Sequence, residues 1–337
     1  MVTKRNGVYL GVTLALVTIG LCAEQVDKSL NSYLVCPTLG KTGIFDSMQF
    51  QWVYQDFNRS MQAAQFSNAI ALTKQIVGLD GLELFIFFKK LYEKNNLSKI
   101  QPAQELKIPK IIHMVWLGSP LPETFQKYID SWVEKHVGRD WQFKLWTDED
   151  VKTFPLINQK FYDATDNYGV KSDLLKWEIV YRYGGVYVDV DFECYQPLDV
   201  LHYTYDFYTG IQPLDTQYLQ LGAALFGACP GHPILKHCID SIKDDWEKKG
   251  APAKSGPIHF TKSFCATAGK SELIDIAFPA SYLYPLGCRE TVLKKDEWVA
   301  QGAIANHHWA KSWMPKEYRT KEFRNLDNDH LVKTWNQ

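Results

Sequence analysis

The sequence has no excess of charge of either sign. Its 37 lysines and arginines are balanced by 38 aspartates and glutamates, so the formal net charge is −1. A protein that holds nucleic acid on a basic surface normally carries a large positive excess. We therefore predict that this chain has no nucleic-acid partner.

Several catalytic and metal-binding motifs are also missing. The seven cysteines are widely spaced and include no C-x-x-C pair, which gives a zinc knuckle or a thioredoxin-type site little support. The sequence has no G-x-G-x-x-G dinucleotide motif, no Walker loop, no internal repeats and no low-complexity tract. Any nucleotide site in this chain must therefore be built from other residues.

The apolar content, in contrast, is high. Hydrophobic residues make up 46% of the 337 residues and charged residues 22%, and there are 11 tryptophans, 18 tyrosines and 18 phenylalanines. This composition supports a large core and argues against disorder. The length allows two domains, or one large domain with an appendage.

The N-terminus has the pattern of a secretory signal peptide. Lys4 and Arg5 precede an uncharged segment whose apolar centre, residues 8–21, is shorter than the ~20 residues that span a bilayer. We predict a signal peptide, residues 1–23, cleaved after Ala23, and a secreted or lumenal protein. Cleavage leaves six cysteines, an even number that permits disulfides. The alternative is a short signal anchor, which would attach the N-terminal region to a membrane.

A helical region is predicted before the main domain. Apolar residues recur at helical spacing from residue 45 to residue 95, and residues 82–91 are apolar nearly all round, so we expect them to be buried. We interpret residues 24–105 as a helical hairpin or cap. Pro102 and Pro109 bracket a short linker, after which the pattern changes.

The pattern after this linker is typical of an α/β fold. Residues 111–116 form a compact apolar run, a helix is predicted over about 122–136, and residues 141–146 read as a second strand followed by a helix capped by Thr147. Alternation of strands and helices predicts a mostly parallel sheet, with ligands beyond the carboxyl ends of its strands. His113 lies inside the first strand and is predicted to be a core histidine.

The strongest chemical signal runs from Lys171 to Asp191. Ser172 is predicted to cap a helix, and Gly184-Gly185 ends it because glycine adopts the positive φ of a sharp turn. The following strand alternates, with Val186, Val188 and Val190 on one face and Tyr187, Asp189 and Asp191 on the other.

The carboxylates of Asp189 and Asp191, spaced ~6 to 7 Å along one face of a strand, would repel each other unless a cation lies near them. Oxygen ligands of this kind suit Mn²⁺ or Mg²⁺, which can also bind a diphosphate. D-x-D also occurs at residues 148–150 and 327–329, where a helix start and a polar tail favour structural roles. We predict that Asp189 and Asp191 are the catalytic, metal-binding pair.

Four segments together resemble a known family. They are residues 108–118, 145–148, 172–191 and 306–313. They resemble the glycosyltransferase family with the D-x-D sugar-binding region, which includes yeast-type initiating mannosyltransferases, sphingolipid mannosyltransferases and, more distantly, glucosylating bacterial toxins. The resemblance implies a GT-A-type, Rossmann-like nucleotide-sugar domain, which we place at residues 106–337, and sugar transfer with retention at the anomeric carbon.

The resemblance also implies roles for individual residues. Asp191 would be a direct metal ligand and Asp189 would lie near the ribose and the metal, while the His307-His308 pair would complete the metal site without the sequence deciding which ring reaches the ion. Lys176 stands where the family commonly has arginine, and residues 221–224 lack an asparagine that the family often has. The donor-binding residues implied are Trp116, Asp173, Lys176, Tyr187, Asp189, Ser312 and Trp313.

Three functions are compatible with these residues. The first is a Mn²⁺- or Mg²⁺-dependent retaining hexosyltransferase, which would use a UDP- or GDP-linked sugar as donor and a glycan, lipid or protein as acceptor. The second is a nucleotide-sugar-binding protein that has lost transfer, suggested by Lys176 and the missing asparagine. The third is a metal-dependent phosphohydrolase, because paired aspartates also serve that chemistry.

Overall fold

The structure, a computed structural model, describes residues 50–243 and 250–312, and the backbone of a two-residue strand, β1 (Leu34–Val35). The chain separates into two units, residues 1–34 and residues 35–337. The elements described below from residue 50 onward belong to the second unit. The predicted signal peptide and Trp313 lie outside the described residues, and the predicted domain limits stay predictions.

The first described helices are short, except for one. They are α1 (Phe57–Ser60), α2 (Ser67–Leu72) and α3 (Gly81–Asn95). The described residues before α1, residues 50–56, are irregular although their apolar spacing is helical. The helical hairpin or cap at residues 24–105 stays a prediction. Helix α3 begins with a capping box, in which the side chains of Asp80 and Glu83 each accept a backbone N–H of the other.

Helix α3 is buried on one side. Leu82 and Ile86 are 60% and 40% exposed, so the expected burial of residues 82–91 holds for one face of the helix only. The apolar face packs on the main domain, where the ring of Phe88 lies 6.0 Å from that of Phe264. A helix on the surface of a domain needs only one buried stripe, which here consists of Leu84, Phe85, Phe88 and Leu91.

The predicted alternation of strands and helices is confirmed. The elements that follow α3 are β2 (Ile111–Val115), a 3₁₀ turn (Glu123–Phe125), α4 (Gln126–His136), β3 (Gln142–Trp146), α5 (Asp148–Val151), α6 (Gln159–Asp163), α7 (Tyr168–Tyr183) and β4 (Gly185–Val188). Thr147 and Asp150 form a capping box at the start of α5, as the sequence predicts for Thr147.

The second half of the domain adds a two-stranded ribbon and the rest of the sheet. Its elements are β5 (Phe192–Cys194), α8 (Asp199–Thr204), β6 (Phe207–Ile211), a 3₁₀ turn (Leu214–Thr216), β7 (Leu221–Ala228), α9 (Pro233–Asp240), α10 (Ala251–Lys254), α11 (Pro257–Thr267), β8 (Asp275–Phe278), α12 (Ala280–Leu283), α13 (Lys295–Ala300) and β9 (Ala305–His307). The five cysteines among the described residues are free thiols.

The central sheet places the strand before the aspartate pair in its middle. From residue 50 onward the strand order is β3-β2-β4-β7-β6-β8. Strand β2 is parallel to β3 and β4, and β6 is parallel to β8, whereas β7 is antiparallel to both β4 and β6. The link between β6 and β7 is too short for a crossover, so this pair must be antiparallel. The α/β class is confirmed, with one reversed strand in the sheet.

The helix before the aspartate pair begins earlier than predicted. Helix α7 is capped by Asn167, whose side chain accepts the N–H of Val170 at 3.1 Å. The prediction of Ser172 as the N-cap is wrong, because the asparagine already supplies the capping oxygen and Ser172 lies inside the helix. The predicted end is confirmed, since Gly184 and Gly185 have φ of +66° and +96°.

No helix among residues 50–243 and 250–312 combines the length and the apolar character required to cross a bilayer.

Three histidines in the core are held by backbone carbonyls. A ring nitrogen of His113, His136 and His202 lies 2.9, 2.7 and 3.0 Å from the carbonyl oxygens of Gly184, Trp132 and Ile108 respectively. Burial lowers their pKa values to about 4, 4 and 3. His113 is thus a core histidine, as predicted, and all three are neutral at pH 7.

These histidines should make the protein less stable in acid. In the unfolded chain their pKa is near 6.5, so between about pH 6.5 and pH 4 the unfolded state binds more protons than the folded state. Stability is therefore highest above pH 6.5, and each histidine should remove roughly 2 kcal/mol between pH 7 and pH 5. Urea unfolding at the two pH values measures this loss. A His202→Gln variant should lose roughly 2 kcal/mol less between the two pH values; an unchanged pH dependence would contradict the assignment.

Candidate active site

The two aspartates lie in a turn at the end of the central strand β4. The strand ends at Val188, and the backbone N–H of Asp189 makes one more bond across to the carbonyl of Ala224 at 2.8 Å. Asp191 lies two residues further along this turn, so the expectation that one strand carries both carboxylates is wrong. The turn brings the two side chains together at the carboxyl end of β4, where the sequence analysis placed a ligand site.

His307, in the last described strand, lies beside the two aspartates and forms a cluster with them. Carboxylate oxygens of Asp189 and Asp191 and a ring nitrogen of His307 all lie within 4.8 Å of one another. Nε2 of His307 is 3.2 Å from Oδ1 of Asp191. His307 ends strand β9, which pairs with β5 so that His307 lies opposite Phe192, and the two rings stack at 4.9 Å. The ribbon therefore fixes the position of the imidazole.

The segment after β9 folds back over Asp191. The backbone N–H of Ala310 donates to Oδ2 of Asp191 at 2.8 Å. The backbone N–H of His308 donates to the carbonyl oxygen of Asp191 at 3.0 Å. Trp309 and Lys311 have φ of +53° and +52°, in a region that residues other than glycine rarely adopt. This tight turn, strained at two positions, holds the Asp191 carboxylate in place.

The two carboxylates have different electrostatic surroundings. Burial raises the pKa of Asp189 to about 6; the charge of Lys176 opposes this effect and that of Asp191 adds to it. Burial also acts to raise the pKa of Asp191, but the His307 ring and the N–H of Ala310 hold it below its ordinary value. A second negative charge on Asp189 is therefore costly in this site, and a cation would relieve that cost.

The donor atoms fit a divalent cation. The carboxylates of half-buried Asp189 and buried Asp191 supply the oxygen ligands that Mg²⁺ and Mn²⁺ prefer, and an imidazole nitrogen is a ligand that Mn²⁺ accepts more readily than Mg²⁺. Nδ1 of His307 is buried and has no hydrogen-bond partner among the described residues. The three side chains thus form a candidate metal site.

His308 lies outside this cluster. Its Nε2 is 3.0 Å from Oε2 of Glu193, and its ring stacks on that of Tyr128 at 4.2 Å. The sequence predicts both histidines as metal ligands, with the choice between them open. The structure brings only His307, of the two, to the aspartates, because Glu193 holds the neighbouring ring. Glu193 was not identified from the sequence; its position two residues after Asp191 is the one signal that could have found it.

A buried ion pair lies on the other side of Asp189. Lys176 is 3% exposed, and its Nζ is 2.5 Å from Oδ1 of Asp173 and 5.0 Å from the centroid of the Tyr187 ring. Lys176 is therefore not an exposed lysine. Oδ2 of Asp173 accepts the hydroxyl of Ser255 at 3.1 Å. This serine was missed because 82 residues separate it from Asp173.

Hydroxyl groups connect this ion pair to the aspartate cluster. Tyr187 donates its hydroxyl to Oδ1 of Asp189 at 2.6 Å. The hydroxyl of Ser172 lies 3.3 Å from the same phenol oxygen, so this serine acts inside helix α7 rather than as its cap. Helix α7 and strand β4 therefore present a continuous polar surface to the cluster.

Trp116 follows strand β2 at the same edge of the sheet. His113 pairs with Tyr187 in the parallel β2–β4 ladder, so the ends of the two strands lie side by side. The Trp116 ring is 5.3 Å from that of Phe125. Ser312 is the last described residue, five positions after His307. The predicted donor residues therefore come from several neighbouring segments.

Nearby residues support the loops around these side chains. Oδ2 of Asp148 accepts the backbone N–H of Gly118 at 2.7 Å, which agrees with the structural role predicted for residues 148–150. Gly118 has φ of +82°, and a Cβ there would come within 2.2 Å of the Tyr168 ring. Glycine is therefore required in the loop after β2.

A known protein family matches the part of the chain that contains the two aspartates. Residues 122–208 match the family described as glycosyltransferase sugar-binding region containing DXD motif. This match contains Asp173, Lys176, Tyr187 and both aspartates of the cluster, and it confirms the predicted family resemblance. Two of the four segments, residues 145–148 and 172–191, lie within it.

Two curated relatives come from the fission yeast Schizosaccharomyces pombe. Inositol phosphoceramide mannosyltransferase 1 is 33% identical over 146 residues, which are 42% of this chain and 44% of the relative. Inositol phosphoceramide mannosyltransferase 3 is 34% identical over 179 residues, 49% of this chain and 48% of the relative. The chain thus spans about half the length of the curated relatives it matches.

Among solved structures, the protein entitled PaToxG Glycosyltransferase superposes with a TM-score of 0.42 and 18% sequence identity, over 55% of this chain and 80% of the other.

Proposed function

We propose that this chain, whose residues 122–208 match the DXD sugar-binding region, is a metal-dependent retaining glycosyltransferase. It transfers a hexose from a UDP- or GDP-linked sugar to the hydroxyl of an acceptor. The observation that carries the proposal is the convergence of Asp189, Asp191 and His307 within 4.8 Å at the carboxyl end of β4. The names of the two yeast relatives favour mannose as the sugar and an inositol-containing sphingolipid as the acceptor, among glycan, lipid and protein acceptors.

Each group near the cluster has a task in this proposal. Asp189, Asp191 and His307 would hold Mn²⁺ or Mg²⁺, which when bound neutralises charge on the departing diphosphate. Asp173 accepts hydrogen bonds from hydroxyls of the donor sugar, and its paired Lys176 supplies the opposite charge beside that carboxylate. The remaining donor contacts are assigned to Trp116, which stacks on the base, and to Tyr187, Ser312 and Trp313.

A panel of nucleotide sugars tests the proposal. The purified protein is incubated with GDP-mannose, UDP-glucose or UDP-galactose, with Mn²⁺ or with a chelator, and the released nucleoside diphosphate is measured with and without inositol phosphoceramide. We expect release from at least one donor, loss of release with the chelator, and faster release with the acceptor. Binding without release from any donor would favour the alternative of a binding protein. Release of nucleoside monophosphate and sugar 1-phosphate instead would favour a phosphohydrolase.

We also propose that the protein works in the lumen of the secretory pathway. The basic pair and apolar segment at residues 4–21 support this location. N-terminal sequencing of the protein from the culture medium or the lumenal fraction should begin at Glu24. An intact Met1 would rule out cleavage and favour the signal-anchor alternative.

The two adjacent histidines should behave differently on substitution. His307→Gln removes a nitrogen from the cluster, so we expect the Mn²⁺ concentration for half-maximal activity to rise at least roughly tenfold. His308→Gln changes a ring that is bound to Glu193 and should shift that concentration less than about twofold. Metal titrations of the two variants make the comparison. Equal shifts, or a larger shift for His308→Gln, would contradict the assignment of His307.

A further inference from the structure

Glu193 joins three parts of the fold beside the metal cluster. It lies in strand β5, where Asn306 of strand β9 is its partner in the ladder. Its Oε2 lies 3.0 Å from Nε2 of His308, and its Oε1 lies 2.6 Å from Nζ of Lys295, the first residue of helix α13. One carboxylate therefore connects the two-stranded ribbon, a helix and the residue that follows β9.

The Glu193 carboxylate is charged, which strengthens its bond to His308. Burial acts to raise the pKa of Glu193, but the bonds from His308 and Lys295 lower it to about 2, so the group is ionised at neutral pH. An ionised carboxylate can only accept, which means that Nε2 of His308 carries the hydrogen. A hydrogen bond to a charged group is roughly twice as strong as one between neutral groups.

The ring of His308 is held at its face as well as at its edge. It stacks on the ring of Tyr128, in helix α4, with centroids 4.2 Å apart and planes 22° apart. Glu193 and Tyr128 therefore fix the imidazole from two sides. The effect of this fixed ring on the metal cluster passes through the backbone that continues from His308.

That backbone, residues 308–312, is here called the closing segment. It bonds to Asp191 and then turns, with φ of +53° at Trp309 and +52° at Lys311. These φ values are unfavourable for residues that carry a side chain, so the turn must be held by contacts around it. Ser312, a proposed donor contact, ends the segment. The position of that contact therefore depends on how firmly the segment is anchored.

We propose that Glu193 is a positioning residue, which anchors the closing segment through His308 and so keeps it in place to bind the nucleotide sugar. The inference rests on the proposed function, because the sugar donor is the ligand that the segment would contact. Lys295 has no part in this role, since its pair with Glu193 holds helix α13 and not the segment. Its side chain is 54% exposed, and exposed ion pairs contribute little.

Glu193→Leu and His308→Leu test the proposal, with Lys295→Met as the matched control. Each of the first two removes the anchoring bond, so the closing segment should open more often and trypsin should cleave after Lys311 roughly tenfold faster. KM for the nucleotide sugar should rise to a similar extent, with kcat changed less than about threefold. Lys295→Met removes another partner of the same carboxylate and should leave the cleavage rate and KM unchanged.

Two further variants separate an anchor from a general loss of stability. The double variant Glu193→Leu/His308→Leu should be cleaved no more than about twofold faster than either single variant, because both substitutions break one contact; independent effects would multiply to about a hundredfold. His308→Gln keeps an N–H donor and should be cleaved more slowly than His308→Leu. Cleavage after Lys262, in helix α11, reports unfolding of the domain and should keep its wild-type rate in every variant.

Several results would overturn the inference. They are an unchanged rate of cleavage after Lys311 in Glu193→Leu, effects that multiply in the double variant, an equal increase in Lys295→Met, or faster cleavage with an unchanged KM. A wild-type protein that releases no nucleoside diphosphate would instead refute the proposed function. In that case the cleavage rates, which need no substrate, still decide whether Glu193 anchors the closing segment.

Discussion

Asp191→Asn should reduce the release of nucleoside diphosphate roughly 10³-fold or more while the protein stays folded. The substitution keeps the size of the side chain and removes its charge. In the structure this carboxylate is bonded to the His307 ring and to the N–H of Ala310, and Asp189 faces it within the same cluster. Loss of its charge removes a strong ligand and weakens the bond to the imidazole, so two of three ligands are affected together.

The control for this variant is Asp240→Asn. Asp240 is exposed and pairs with Lys236 on the surface of α9, so its charge should contribute little to activity or stability. Circular dichroism and the melting temperature establish that Asp191→Asn is folded. Wild-type kcat in a folded Asp191→Asn protein would end the proposal of a metal-dependent transferase. Partial rescue by a high Mn²⁺ concentration would agree with a weakened metal site.

The sequence predicts the layers of this fold better than the ends of its elements. The apolar runs identify β2 and β3, and Gly184-Gly185 marks where α7 gives way to β4, because those signals act over a few neighbouring residues. The start of α7 was misplaced because Asn167 and Ser172 are both capable caps and the choice depends on tertiary contacts. The position of β7 between β4 and β6 follows from long-range pairing, for which no local pattern exists.

Those parts of the candidate site that depend on neighbouring residues can also be predicted from the sequence. A strand followed by D-x-D predicts the convergence of Asp189 and Asp191, although a turn rather than the strand produces it. The choice of His307 over His308 needs the register of β9 on β5, which the sequence does not contain. Ser255 reaches Asp173 from a segment 82 residues away, a separation that no local sequence pattern spans.

The buried ion pair connects the stability of the domain to its chemistry. Lys176 lies between two acidic groups, because it pairs with Asp173 and its charge also opposes the pKa increase of Asp189. A buried ion pair adds little net stability compared with apolar residues of the same size, yet the loss of one partner is costly. Stability alone therefore does not account for a lysine inside the domain. Its positive charge is better explained by the two acidic groups, Asp173 and Asp189, that the proposed site requires.

Lys176→Met should accordingly impair folding and activity together. It leaves half-buried Asp173 without its cation, so we expect a loss of about 3 kcal/mol in the free energy of unfolding and a weaker affinity for the nucleotide sugar. The double variant Asp173→Asn/Lys176→Met removes both charges and should regain most of that stability, but not the activity, because Asp173 is the proposed contact to the sugar hydroxyls. Urea unfolding and kcat/KM measured on the single and double variants separate the two roles. If the double variant regained activity along with stability, the ion pair would be structural and the donor would have to be held by other residues.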